Sequence, residues 1–294
     1  MFLLFLSLFL VAIFAGFFGA LVGIGGGIVI VPVLTLVFHM PIHHAIAASI
    51  VSVIATSIAG ALSYVDQQIT NVRLGMFLEI ATTGGALIGA FVGVMMQGWV
   101  LSLIFGALIM FMAVVSYRSR ETDDKMIAAD SFKTGGVDKI SRKLDLQGEY
   151  HDEAANREVS YHATRAIEGG LVSSLAGIGS GLLGIGGGVI KVAAMNSMMN
   201  VPMKVSVATS KFMIGVTAAT SAIVYLLAGA VNLYIVGPVA LGTMLGATIG
   251  SNVMNKLHSK VIKIIFFVIM IYLGFSMLAN GLRSGAGIKF PTIL

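Results

Sequence analysis

"GIGGG" occurs at Gly23–Gly27 and again at Gly184–Gly188, each time between strongly apolar segments. Glycine in a helix interior costs about 1 kcal/mol relative to alanine. Three in succession therefore end a helix rather than continue one. The flanking segments fix the setting of the two breaks. The 294-residue chain is 57% hydrophobic and 11% charged, whereas an ordinary soluble domain is about 25% charged. Its mean hydropathy is +0.97. Apolar runs near the length that crosses a hydrocarbon core of roughly 30 Å recur along it. The expected class is an all-α polytopic membrane protein with roughly eight to ten membrane segments. The runs are continuous, unlike the alternating strands of a membrane β-barrel.

Composition narrows the chemistry. There is no cysteine, so disulfides and thiolate chemistry are excluded. The net charge of +5 does not point to nucleic acid. Most charges lie in one loop, and the remaining basic residues sit near helix ends, as the positive-inside rule requires. The opening "MFLLFLSLFLVAIFAGFFGA" lacks the basic start of a secretory signal. It runs directly into the first break and is expected to be a retained helix.

The breaks belong to a longer repeat. Shifting the chain by 161 residues aligns Gly16–Ala90 with Gly177–Ser251 without a gap. The shift pairs Pro41 with Pro202, Ser49 with Ser210, Thr56 with Thr217, Tyr64 with Tyr225 and Asn71 with Asn232. It also pairs Gly85 and Gly89 with Gly246 and Gly250, small-residue ladders of the kind that pack membrane helices closely. The organisation expected is a membrane repeat over 1–117, a cytoplasmic polar linker over 118–162 and a second membrane repeat over 163–294. The linker's composition reads as solvated chain, with room for a short helix.

Segments are expected at Phe2–Val22, Ile28–Phe38, His43–Tyr64, Val72–Met96 and Trp99–Tyr117. In the second repeat they are Ala166–Leu183, Val189–Met199, Met203–Ala228, Leu233–Met254 and Val261–Leu282. The arm after each break rises only about 17 Å. Each is either a re-entrant half, giving four crossings per repeat and parallel repeats, or a short crossing, giving five and inverted repeats. With the charged linker inside, five crossings also place Lys204, Lys256, Lys260 and Lys263 inside, at the cost of Arg283 and Lys289 outside. The charge bias favours inversion.

Each arm beyond a break starts a helix whose first N–H groups are unpaired and whose dipole end is positive. Such an end holds anions without a basic side chain. Backbone of this kind at membrane depth survives only where protein or water satisfies it, and broken helices at matching positions of two repeats point to a transporter's substrate site. Close packing alone is the competing reading of the glycines. "GIGSGLLG" at Gly177–Gly184 contains a formal G-x-G-x-x-G, but the strand and βαβ unit that a dinucleotide site needs are missing.

Few ionisable residues lie inside the apolar segments, and such residues by default mark a pathway or a pair. Lys191 stands in the first turn after the second break, where a cation opposes the dipole unless an anion lies between. Lys211 stands beside Thr209 and Ser210. Ile30 and Ile50 occupy the corresponding positions of the first repeat, so the site is asymmetric. Snorkelling to an interface is the alternative for both lysines. Glu79 is either a proton-coupling carboxylate or the ion-pair partner of a lysine. His39, His43 and His44 cluster near Pro41 without the further ligands a metal needs.

The paired segments "GFFGALVGIGGGIVIVPVL" (Gly16–Leu34) and "GSGLLGIGGGVIKVAAM" (Gly179–Met195), with "AIAASIV" (Ala45–Val51) and "SVATSKF" (Ser206–Phe212), resemble the TauE/SafE sulfite exporter family. The resemblance covers both halves outside the linker. It implies a secondary transporter of small sulfur-containing or organic anions, such as sulfite, sulfoacetate or other sulfonates, in the cytoplasmic membrane. It leaves import and export open. Ala193 stands where the family's proline follows the glycines, as Pro32 does in the first copy.

Together these readings give alternating access coupled to a proton or ion gradient. The anion would meet the backbone of Gly25, Gly26, Gly27, Gly186, Gly187 and Gly188, the charges of Lys191 and Lys211, and hydrogen bonds from Ser49, Thr209, Ser210 and Asn232. Glu79 would couple. The expected partners are a small anion and the lipid bilayer, with a homodimer as a further one. No cofactor, metal or nucleic acid is expected, and no nucleophile–base set suggests an enzyme. An anion channel lacks its ring of charges or carbonyls, and a membrane assembly protein rests only on the long linker.

Overall fold

The computed structural model describes residues 2–22, 26–66, 69–118, 138–152, 157–254 and 259–286. The helices are α1 (Phe2–Val22), α2 (Gly27–Leu36), α3 (Ile42–Asp66), α4 (Val72–Met95), α5 (Gly98–Arg118) and the single-turn α6 (Lys139–Lys143). After a hairpin, β1 (Gln147–Asp152) and β2 (Arg157–His162), come α7 (Ala166–Leu183), α8 (Gly188–Ala193), α9 (Met203–Leu227), α10 (Leu233–Met254) and α11 (Ser259–Ala286). The protein is a helical bundle, and α4, α7, α9, α10 and α11 are each long and apolar enough to cross a membrane. Its large apolar residues are exposed on outer faces, Leu171, Leu175, Ile80 and Phe91 among them. That is the expected arrangement for helices solvated by lipid tails.

Helices recur at a fixed interval. The first residues of α2, α3, α4 and α5 each return 161 positions later as those of α8, α9, α10 and α11. Contacts recur with them. A Cβ on Gly16 would strike the carbonyl of Thr243, and one on Gly177 would strike that of Thr82. Gly246 is pressed against Ile13 and Phe17, and Gly85 against Ser174 and Ile178. These glycines let α1 lie directly on α10 and α7 on α4, backbone against backbone. Each of these helices thus packs most closely against a helix of the other half.

One further pair of helices has a defined direction. Gly106 of α5 lies against Gly274 and Leu278 of α11, while Trp99 lies against Gly281 and Gly285. Advancing along α5 therefore means retreating along α11. Two helices at the same place in the 161-residue interval pack antiparallel.

The described part of the linker is folded. β1 and β2 pair antiparallel, Gln147 opposite His162 and Asp152 opposite Arg157. Tyr150 and Tyr161 are buried, in one apolar cluster with Leu74 and Leu78 of α4, Met195, Met199 and Met213. Period-2 burial explains the strand form: alternate residues face the helix ends and the rest face solvent. Arg73 pairs with Asp145 at its edge, and the hydroxyl of Tyr161 accepts from Asn71 Nδ2 at 2.9 Å.

Candidate functional site

Among the described residues, the last glycine before each arm is left-handed in both breaks. Gly26 (φ 70°) and Gly187 (φ 65°) are left-handed residues immediately before α2 and α8, a conformation that costs an ordinary residue about 1–2 kcal/mol. Their surroundings match as well. A Cβ on Gly26 would face Ala15 O, and one on Gly187 would face Ala176 O. Gly27 is packed by Ser49 and Val53 of α3, and Gly188 by Ser210 and Ile214 of α9. Gly25 lies outside the described residues.

The breaks also meet each other. A Cβ on Gly27 would stand 2.7 Å from Gly184 O. Ser49 Oγ donates to that same carbonyl at 2.8 Å, and Ser210 Oγ donates to Gly188 O at 3.3 Å. Ser49 thus satisfies a carbonyl at the C-terminal end of α7 that the break leaves without an intrahelical partner, whereas Ser210 reaches the first carbonyl of α8. The start of α2 thus lies against the beginning of the second break.

The arms then differ. α2 contains Pro32. At the matching place α8 has Ala193, followed by a π-turn over Ala194–Met198 in which Met199 N–H donates to Ala194 O at 3.1 Å. Such turns are frequent at functional sites.

Lys191, one turn into α8, is fully buried. Its Nζ donates to Thr217 Oγ1 of α9 at 2.7 Å and lies 3.8 Å from Glu79 Oε2 of α4. Thr217 Oγ1 donates to Glu79 Oε1 at 2.7 Å, and Thr83 Oγ1 donates to the same oxygen at 3.1 Å. Glu79 is 7% exposed, and its Oε2 has no hydrogen-bond partner among the described residues. Three helices thus converge on one neutral charge pair beside the second break. Ile30, Ala240 and Thr56 occupy the matching positions of the other half, so the array exists once.

The remaining candidates are spread out. Thr209 is buried at the start of α4, where its Oγ1 accepts from Asn71 N–H at 3.1 Å. Lys211 is half-buried on α9, and its carbonyl accepts the hydroxyl of Ser57. Asn232 is exposed, and its Oδ1 accepts from Tyr234 N–H at the start of α10. His43 Nε2 and His44 Nδ1 lie 3.0 and 2.7 Å from the carbonyls of Met96 and Ala230. The structure brings Lys191, Glu79 and the breaks together and leaves Asn232 at the surface. Thr83 escaped the sequence reading, and Thr217 entered it only as the repeat mate of Thr56. The signal for Thr217 was a polar stripe in an apolar helix: Ser206, Ser210, Thr217 and Ser221 all lie buried along α9.

The family model "Sulfite exporter TauE/SafE" matches residues 8–277. A relative from Bacillus subtilis (strain 168), "Probable membrane transporter protein YunE", is 29% identical over 293 residues, 95% of this chain and 99% of the relative. "Probable membrane transporter protein YdhB" from the same organism is 26% identical over 275 residues, 90% and 95% of the two chains. No solved structure matches significantly. With a buried charge pair beside the second of two broken helices, and a family match that runs through both of them, the chain is a multi-pass membrane transporter that belongs to the TauE/SafE sulfite exporter family.

Proposed function

We propose that this transporter moves small sulfur-containing or organic anions, such as sulfite, sulfoacetate or other sulfonates, across the cytoplasmic membrane by alternating access, coupled to a proton or ion gradient. The observation that carries the reading is Lys191, a fully buried cation in the first turn of α8, the short arm that follows the second break. A cation there opposes the helix dipole, and an anion between the two relieves the conflict. The backbone of Gly25–Gly27 and Gly186–Gly188 would meet the anion, with Ser49 and Ser210 close by. Lys211, Thr209 and Asn232 are in this reading an outer set along the route. Glu79 couples transport to the gradient.

Antiparallel packing of α5 and α11 supports two repeats inverted about an axis in the membrane plane. Alternating access would then rock one repeat against the other. The positive-inside rule puts the hairpin in the cytoplasm.

Thermal stabilisation of the full chain in detergent tests the reading, with sulfite, thiosulfate, sulfoacetate, sulfate and carboxylates as ligands. At least one sulfur oxyanion or sulfonate should raise the melting temperature, and Lys191→Met should abolish the rise. If no anion stabilises the protein, or if Lys191→Met keeps the response, the reading is wrong.

A further inference from the structure

We infer that anion binding and proton uptake are one event here: Glu79 takes a proton as the anion takes Lys191, so anion and proton travel in the same direction. The inference rests on the reading above and deepens it by naming the coupling ion and the atom that holds it.

Charge balance links the two events. Lys191 and Glu79 form a neutral pair that is almost wholly removed from solvent. An anion that engages the lysine ammonium turns a neutral site into a negative one. Uncompensated buried charge is costly, and the usual outcome is neutralisation by proton transfer rather than burial of the ion. One carboxylate oxygen is already placed for it. Glu79 Oε2 is buried and has no hydrogen-bond partner among the described residues, whereas Oε1 accepts from Thr217 and Thr83. The proton comes from water and forms an O–H bond at Oε2, and nothing else is made or broken. Thr217 and Thr83 keep their bonds to Oε1, so the carboxyl stays in place while Lys191 changes partner.

No other described charge is in position to do this. α7 offers Glu168, which pairs with Arg165 at the exposed start of that helix. On α9, Lys204 and Lys211 both precede Thr217 by more than one turn, and Tyr225 donates to Leu182 O near the far end of α4. Arg73 of α4 itself pairs with Asp145. The charged side chain within 4 Å of Glu79 is Lys191.

The test uses the purified full chain in lightly buffered detergent with a pH dye. The probes are methanesulfonate and ethanesulfonate, monovalent sulfonates whose own charge does not change between mildly acidic and mildly alkaline solution, so that one proton restores the neutrality of the site. Adding either probe should draw about one proton from solution per anion bound, and affinity should fall about tenfold per pH unit over the linked range. Proton release on binding, or binding with no uptake, overturns the inference and leaves the transport reading standing. Glu79→Gln should bind the probe with no uptake and no pH dependence, and a variant that still takes up a proton also overturns the inference. If no probe binds the wild type or the variant at any pH, the transport reading itself falls. The wild-type measurement stands alone should the variant fail to fold.

Discussion

The hydroxyl of Ser49, on α3, donates to the carbonyl of Gly184, the first residue of the second broken stretch, at 2.8 Å. The bond ties a helix of the first half to the break of the second, and both groups are buried. Ser210, its counterpart on α9, reaches Gly188 O at a longer 3.3 Å. A net hydrogen bond contributes about 1 kcal/mol, and an orphaned buried carbonyl costs about 1–3. Ser49→Ala should therefore lower thermal stability in detergent by about 1–3 kcal/mol, and Ser210→Ala should lower it less. Equal losses would show that the bond between the halves has no special weight.

The left-handed glycines set a sharper contrast. Gly187→Ala would combine a strained φ with a Cβ 2.7 Å from Ala176 O. Gly26→Ala would suffer the strain while its Cβ stands 3.5 Å from Ala15 O, an ordinary contact. Each should lose at least about 1–2 kcal/mol from backbone strain, with Gly187→Ala the worse. Gly170→Ala on α7 is the control: nothing lies within 4 Å of its added Cβ. The change should be neutral or gain up to about 1 kcal/mol of helix propensity. Melting curves of the three variants give the order directly, and a tolerated Gly187→Ala would show that the break relaxes without the left-handed turn.

The buried pair predicts strong non-additivity. Removing one partner leaves the other as an uncompensated charge, about 3–5 kcal/mol for a buried pair. Lys191→Met alone and Glu79→Gln alone should each destabilise, although Glu79→Gln retains a hydrogen-bonding group for Thr217 and Thr83 and should lose less. The double variant should recover much of the sum, because replacing both charges with neutral groups removes the desolvation cost as well. A double-mutant cycle on unfolding in detergent measures this. Additive losses would mean that the pair, 3.8 Å apart, does not interact and that Thr217 alone holds each side chain.

Much of the fold was legible because the bilayer simplifies the code. Long apolar runs located α1, α3, α4, α5, α7, α9, α10 and α11 to within two residues at each end, except that α11 runs on past Leu282 to Ala286, since a membrane helix must satisfy its backbone internally. The glycines of the ladders were visible too. Their partners were not: that Gly85 presses on α7 and Gly246 on α1 depends on which helices neighbour one another, and local sequence does not carry that. At the site, Lys191 and Glu79 stood out as charges in apolar segments, and a pair between Glu79 and a lysine was one of two readings, but the choice of Lys191 and the link through Thr217 join three helices far apart in sequence. The hairpin was hidden for a different reason. The alternation of Tyr150, Val159 and Tyr161 sits in a charge-rich stretch whose average composition is that of solvated chain. Only the apolar cluster beneath it shows why it folds.

That hairpin supplies a pH-dependent test. Burial pushes the phenol of Tyr161 up to about 12, against the hydrogen bond from Asn71, which favours the ionised form. In the unfolded chain a tyrosine ionises near about 10. Between these values the undocked hairpin gives up a proton that the docked one keeps, so docking stability falls as pH rises. The contribution is fully present below about pH 10 and is lost as pH climbs toward about 12. Tyr161→Phe keeps most of the buried ring and removes the ionisation. Proteolysis of the full chain in detergent, read at sites within 138–162, should accelerate above pH 10 in the wild type. The variant's acceleration should be smaller by the share that Tyr161 contributes. Asn71→Ala should speed cleavage at neutral pH instead, because it removes the bond to Tyr161 and the cap on α4 that Asn71 forms with Leu74 N–H at 3.0 Å. Identical alkaline profiles for wild type and Tyr161→Phe would show that the phenol is not what holds the hairpin against the helices.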